Sequence, residues 1–163
     1  MNNDVICLYY SRTGRTRRTM EEIAAALGCE ALPVRDRVRR RGAIGWLRCG
    51  LDAMRRHTSA LARLETPRPL SDYRLVVLGT PIWAGRCSSV IRGLLKRRGY
   101  EMNRVAYVLT HDSEELYKDV YRQMDQYLLV PHVAEVSLRP GGTGYEHWRD
   151  LFVKQCMDFV SEK

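Results

Sequence analysis

An almost unbroken apolar run over residues 5–10 ends abruptly in Ser11-Arg12-Thr13-Gly14-Arg15-Thr16, and an amphipathic pattern starts directly behind it. A strand that is apolar on both sides has to be covered on both faces, as in a parallel sheet. A helix following it at once is the crossover that parallel strands need. The arrangement repeats: apolar runs at 75–78, 105–109 and 133–138, with a weaker one at 29–34, alternate with stretches of helical periodicity. This predicts five strands in β-α units around one parallel sheet.

The first helix is expected over 15–27, with Met20, Ile23, Ala24 and Leu27 on one stripe and Gly28 closing it. The run at 29–34 carries Glu30 and Pro33, and proline lacks the ladder donor, so this strand belongs at a sheet edge. Later helices are read at 88–98 (Val90, Ile91, Leu94 and Leu95 inward), 113–128 (Leu116, Val120, Met124, Leu128) and 145–160 (Trp148, Leu151, Phe152 and Phe159 inward). The segment 36–72 departs from the alternation. Ile44, Leu47, Leu51 and Met54 recur at helical spacing, which predicts an amphipathic helix over 43–57 behind a run of arginines, and Thr66-Pro67-Arg68-Pro69 breaks the structure ahead of the third strand. That is too little for a second domain. The 163 residues read as a single domain, 1–163, with a basic helical insertion at about 36–72.

Twenty-seven lysines and arginines against 19 acidic residues give a net charge of +8, most of the excess being arginine. Such a surface attracts anionic partners in a salt-dependent way. No recognised DNA- or RNA-binding motif gives the charge a shape, so nucleic acid is not an expected partner. No segment has the apolar length of a membrane span, and the N-terminus lacks the pattern of a secretory leader, which leads us to expect a cytoplasmic protein with no membrane partner. Five cysteines without a C-x-x-C pair read as reduced thiols. His57, His111, His132 and His147 fall in four separate elements with no metal-ligand spacing, and no serine sits at a nucleophile elbow.

The chemistry is carried by two distant stretches. At Ser11 to Thr16, helix-start amides and hydroxyls gather around one small volume, and the helix dipole favours an anion there. In Gly79-Thr80-Pro81-Ile82-Trp83-Ala84-Gly85, an indole stands beside small residues, a surface on which a flat ring can lie. Together they suggest a site for flavin mononucleotide (FMN). Open parallel sheets bind ligands beyond the carboxyl ends of their strands at the point where strand order reverses. In the order 2-1-3-4-5, the loops at 11–16, 80–85 and 110–113 would converge on one crevice.

These motifs, and the order of elements along the whole chain, resemble the flavodoxin family in its short-chain form. The arginine-rich insertion resembles one in a poorly characterised bacterial branch. The resemblance implies a flavodoxin-like three-layer α/β/α sandwich with a five-stranded parallel sheet of order 2-1-3-4-5, and FMN as cofactor. Ser11, Thr13 and Thr16 hydroxyls, with amides from Arg12 through Gly14 and Arg15 to Thr16, would hold the phosphate. Gly14 would permit the tight turn. Thr80, Pro81, Ile82, Trp83, Ala84 and Gly85 would form the first ring loop, with Trp83 stacked on the flavin and the Ala84/Gly85 peptide near its N5. Thr110, His111 and Asp112 would form the second. This last loop departs from the small or glycine residues of many relatives: Asp112 near N1 would repel the reduced flavin's negative charge, or Asp112 or Ser113 would simply cap the next helix. His111 is a candidate proton donor or an ordinary loop histidine.

Three functions are compatible with these features. One is an FMN-dependent electron carrier whose redox partner carries an acidic docking face. The second is an NAD(P)H-dependent FMN or quinone reductase. The third is a flavodoxin-like scaffold that has lost tight cofactor binding and serves as an interaction module.

Overall fold

A computed structural model describes residues 2–36, 42–54 and 63–162. Among them the chain runs β1 (Val5–Tyr9), α1 (Arg15–Leu27), β2 (Glu30–Pro33), α2 (Gly42–Met54), β3 (Leu75–Trp83), β4 (Arg86–Cys87), α3 (Ser89–Arg98), β5 (Val105–Thr110), α4 (Lys118–Asp125), β6 (Ala134–Leu138) and α5 (Tyr145–Ser161). Five strands pair in parallel in the order β2-β1-β3-β5-β6, and the two-residue β4 folds back antiparallel onto the end of β3. Apart from that short strand, this is the expected 2-1-3-4-5 order. β2 lies at the edge, where Pro33 opposite Tyr9 costs no ladder bond on its open side.

Alternation along the strands divides the core in two. Ile6 and Leu8 of β1, Val76 and Leu78 of β3 and Tyr107 and Leu109 of β5 face one side, under α3 and α4. Val5, Cys7, Val77, Val108 and Val136 face the other, under α1 and α5. Both layers of helix are seated as the apolar stripes demand: Met20, Ile23, Ala24 and Leu27 of α1, and Val90, Ile91, Leu94 and Leu95 of α3, are all buried. Gly28 ends α1 in the left-handed conformation at φ 67°, its N–H returned to the carbonyls of Ala24 and Ala25.

Two helices differ from expectation. α4 begins at Lys118, not at 113, because the preceding loop satisfies its own polar groups: Ser113 bonds the Tyr117 hydroxyl at 2.8 Å, and Tyr117 takes a left-handed φ of 50°. Leu116, expected inward, is exposed, while Val120 and Met124 are buried. In α5, Phe152, Val153 and Cys156 are buried, but Trp148 and Leu151 are exposed. Trp148 sits in the first turn over Gly144, short of the residues through which the helix meets the sheet. α2, expected as an amphipathic helix, is seated through small residues. Ile44, Leu47 and Leu51 face outward, and Gly45 and Cys49 are buried. The small pair at i, i+4 lets the helix backbone approach α3 and the β3–β4 hairpin, which it contacts. The expected end of this helix at His57 and the arginine run 37–41 lie outside the described residues. No helix among the described residues is long and apolar enough to cross a membrane.

Candidate functional site

Three loops meet at the carboxyl ends of β1, β3 and β5. The turn 11–14 leaves β1 and enters α1 through Gly14, whose φ of 95° lies where an L side chain is strained. The Gly14 N–H donates to Ser11 Oγ at 3.0 Å, and the Gly14 carbonyl accepts from Arg18 N at 3.0 Å. The amides of Arg12, Thr13, Arg15, Thr16 and Arg17 have no acceptor among the described residues. α1 has no side-chain cap and no acidic residue in its first turn. An open set of donors at the positive end of a 13-residue helix is a place for an anion.

The second expected loop proves to be strand. β3 runs on past Leu78 through Thr80, Pro81 and Ile82 to Trp83, then reverses through Ala84 and Gly85 into β4, with Ile82 opposite Cys87 and Trp83 opposite Arg86. Ala84 and Gly85 both have positive φ, 48° and 69°, as the two-residue turn of a right-twisted hairpin requires. Trp83 is half-buried, its ring 5.5 Å from that of Tyr10 and nearly perpendicular to it at 88°. Tyr10 stands at the head of the first loop, so the indole bridges two of the three loops. Pro81 is half-buried opposite Thr110 of β5.

Two contacts tie the third loop to the first. Thr16 Oγ1 and Thr110 Oγ1 are 2.8 Å apart, both residues buried, and Arg15 forms an ion pair with Asp112 across the mouth. The sequence places these partners 97 and 94 residues apart, and the fold brings them into bonding distance.

Several residues read as ligand contacts are instead used within the protein. The Thr80 hydroxyl is fully buried; it donates toward the Pro81 carbonyl or Ser88 Oγ and accepts from Ser88 N at 3.0 Å, tying β3 to the start of α3. With its hydrogen spent and the residue buried, it cannot donate to a ligand. The hydroxyls of Thr16 and Thr110 are spent largely on each other, leaving one hydrogen between them. His111 turns away from the crevice. Its Nδ1 donates to the Ser113 carbonyl at 2.9 Å, and its Nε2 accepts from Ser137 Oγ at 2.7 Å, so the neutral ring has no nitrogen free to serve as a proton donor. Asp112 caps no helix; it is exposed and engaged with Arg15. Two residues outside the expected cofactor contacts also belong here. They are Tyr10, packed on Trp83, and Arg86, which donates to Gln123 Oε1 at 3.2 Å and so holds the hairpin to α4. The Ala84-Gly85 pair directly behind the apolar Ile82-Trp83 was the available signal for that hairpin.

Burial lowers the His111 pKa from its ordinary value, against the bond to the Ser113 carbonyl, which raises it. A folded-state pKa below the unfolded one means that the unfolded chain binds the proton more readily. The ring's contribution to stability is therefore complete above about pH 6.5 and is lost as the pH falls through the folded value. Urea unfolding at about pH 7.5 and about pH 5.5 should show a drop in midpoint that is smaller in H111N than in the parent chain. Equal drops would show that another group carries the acid sensitivity.

No family model and no curated protein matches the chain. Among solved structures, it is similar to a proposed flavoprotein from Bacteroides eggerthii, at 17% identity over 99% of this chain and 100% of that one, with a TM-score of 0.75. It is also similar to a flavoprotein from Lactobacillus acidophilus solved in complex with FMN (18% identity, 89% and 97% coverage, TM-score 0.66) and to a flavodoxin from the domain Archaea (11%, 96% and 98%, 0.54). At these identities the likeness is one of fold, and the chain has the flavodoxin-like α/β fold.

Proposed function

We propose that this chain binds FMN at the three-loop crevice and works in electron transfer. The observation that carries the reading is that the amides of Arg12, Thr13, Arg15, Thr16 and Arg17, uncommitted among the described residues, share a crevice with a half-buried indole. The first group suits a phosphate and the second suits a planar ring. The similar Lactobacillus protein holds FMN, which supports the reading.

FMN, when bound, supplies the redox chemistry, and the protein's share is to hold and orient it. The amides of Arg12, Thr13, Arg15, Thr16 and Arg17 would hold the phosphate at the head of α1, with the helix dipole adding to the attraction. Trp83, fixed by Tyr10 and by the hairpin, presents a wall for the ring. The Thr16–Thr110 bond and the Arg15–Asp112 pair hold the first and third loops at a set spacing, so little ordering is left to occur on binding. No disulfide joins the cysteines among the described residues, which fits the reducing cytoplasm that we propose as the place of work.

Added FMN tests this. At a hundred times its Kd, a ligand of the folded state stabilises it by about 2.7 kcal/mol, which in a chain of this size should raise the melting temperature by roughly 5–10 °C. Protein purified without added flavin should already be yellow. No thermal shift at saturating FMN would reject the cofactor and favour the scaffold reading. Bleaching of the bound flavin by NADH or NADPH, faster than the buffer control in stopped flow, would move the assignment from carrier to reductase.

A further inference from the structure

Cys7 and Cys29 meet between β1 and the turn that joins α1 to β2, their Sγ atoms 3.6 Å apart. Cys7 faces the side of the sheet covered by α1 and α5 and is fully buried. Cys29 stands one residue ahead of β2 and is partly exposed, whereas Cys49, Cys87 and Cys156 are buried. The contact therefore joins a thiol that solvent reaches to one that it does not. Cys29 does not border the three-loop crevice. It precedes β2, which is parallel to β1, and so lies at the amino end of the sheet, while the loops lie at the carboxyl end.

The contact is also polarised. The hydrogen bond to Cys29, with burial adding to it, holds the Cys7 thiol well above its ordinary range. The same bond lowers Cys29, against the effect of its partial burial. The Cys7 S–H donates and the Cys29 sulfur accepts, which sets a nucleophilic sulfur at the surface beside a thiol that keeps its proton.

We propose that Cys7 and Cys29 form a peroxide-sensitive pair, in which Cys29 is oxidised first and Cys7 then closes a reversible disulfide. The Cys29 thiolate attacks one oxygen of hydrogen peroxide. An S–O bond forms, the O–O bond breaks and hydroxide leaves, giving a sulfenic acid. The Cys7 sulfur then attacks the Cys29 sulfur. An S–S bond forms, the S–O bond breaks, and the Cys7 proton departs with the hydroxyl group as water. Two thiols thus pass two electrons to one peroxide. A disulfide holds its sulfurs about 2 Å apart, so these two must close by about 1.5 Å from their 3.6 Å contact. Cys29 precedes Glu30, the first paired residue of β2, so the turn rather than the ladder takes up that shift. The bond would close a loop over residues 7–29, which contains the turn 11–14 and all of α1. The proposal is independent of the flavin reading.

The test treats the full chain, freed of reductant, with about a tenfold excess of hydrogen peroxide. The intact mass should fall by two hydrogens, digestion should yield the Cys7 and Cys29 peptides joined, and dithiothreitol should reverse both changes. Because the bond constrains a long loop of the unfolded chain, the oxidised protein should melt roughly 5–10 °C higher than the reduced one. In C7S, which lacks the resolving thiol, dimedone should label Cys29, and C29S should give neither label nor link. C7S puts a hydroxyl into the core, so the order of reaction is also read in the parent chain: iodoacetamide should modify Cys29 at least about tenfold faster than Cys7. A parent chain that stays reduced, a link made through Cys156, or faster labelling of Cys7 than of Cys29 would overturn the proposal. So would an oxidised protein that melts lower, which would mean that the fold resists the bond.

Discussion

Changing Trp83 to alanine is expected to weaken FMN binding by about ten- to a hundredfold, the range found when an aromatic side chain that stacks on a planar base is removed. Few single changes should cost the site more. The phosphate is met by many amides, and losing one leaves the others, whereas the ring wall depends on one side chain. Trp83 ends β3, paired across the hairpin with Arg86, and the edge-on contact with Tyr10 fixes its ring plane. It is half-buried, so truncation should lower the melting temperature of the flavin-free protein only modestly. Trp83→Phe should recover part of the affinity by restoring a flat apolar face. The measurement is quenching of FMN fluorescence on titration with the parent, W83A and W83F proteins. Unchanged affinity in W83A would mean that the ring lies elsewhere in the crevice.

The strands and helices of the sheet layers were readable because they rest on local composition, while the strand order followed from the family resemblance. The run at residues 5–10 is apolar on both sides, and the stripe of Met20, Ile23, Ala24 and Leu27 admits one seating on the sheet. The position of the open turn at 11–14 was readable for the same reason, since it lies where an apolar run gives way to a helix. What could not be read depends on partners distant in the chain. Nothing in the sequence tells that Thr80 will meet Ser88 or that Thr16 will meet Thr110, yet those pairings decide which hydroxyls remain for a ligand. The facing of α2 could not be read for another reason. Periodicity assumes that apolar residues seek the interior, but Gly45 and Cys49 allow a backbone approach that leucines on that face would prevent. The late start of α4 has the same origin: the loop at 111–117 bonds to itself and to β6, and helical spacing carries no record of such competition.

The packing of α1 on the sheet yields the largest stability effect. Gly79 lies in β3 between Tyr9 of β1 and Val108 of β5, and a Cβ placed there would stand 2.4 Å from both Cγ and Sδ of Met20. Met20 is itself wholly buried, so its side chain has little room to withdraw. Gly79→Ala should therefore cost about 1–3 kcal/mol through overpacking, a fall in melting temperature of roughly 2–12 °C. The strain should also reach the crevice. α1 pushed off the sheet carries Thr16 away from Thr110 and the loop 11–14 away from Trp83, so FMN affinity should fall in a variant that touches neither phosphate nor ring. A double-mutant cycle separates this mechanism from a general weakening of β3. Met20→Ala alone leaves a cavity and should destabilise by about 2–5 kcal/mol. In the pair G79A/M20A, the new methyl enters that space, and the combined loss should be smaller than the two single losses together by about 1 kcal/mol or more. Denaturant unfolding of the four proteins measures the coupling. Simple additivity would show that Met20 is not what the alanine strikes.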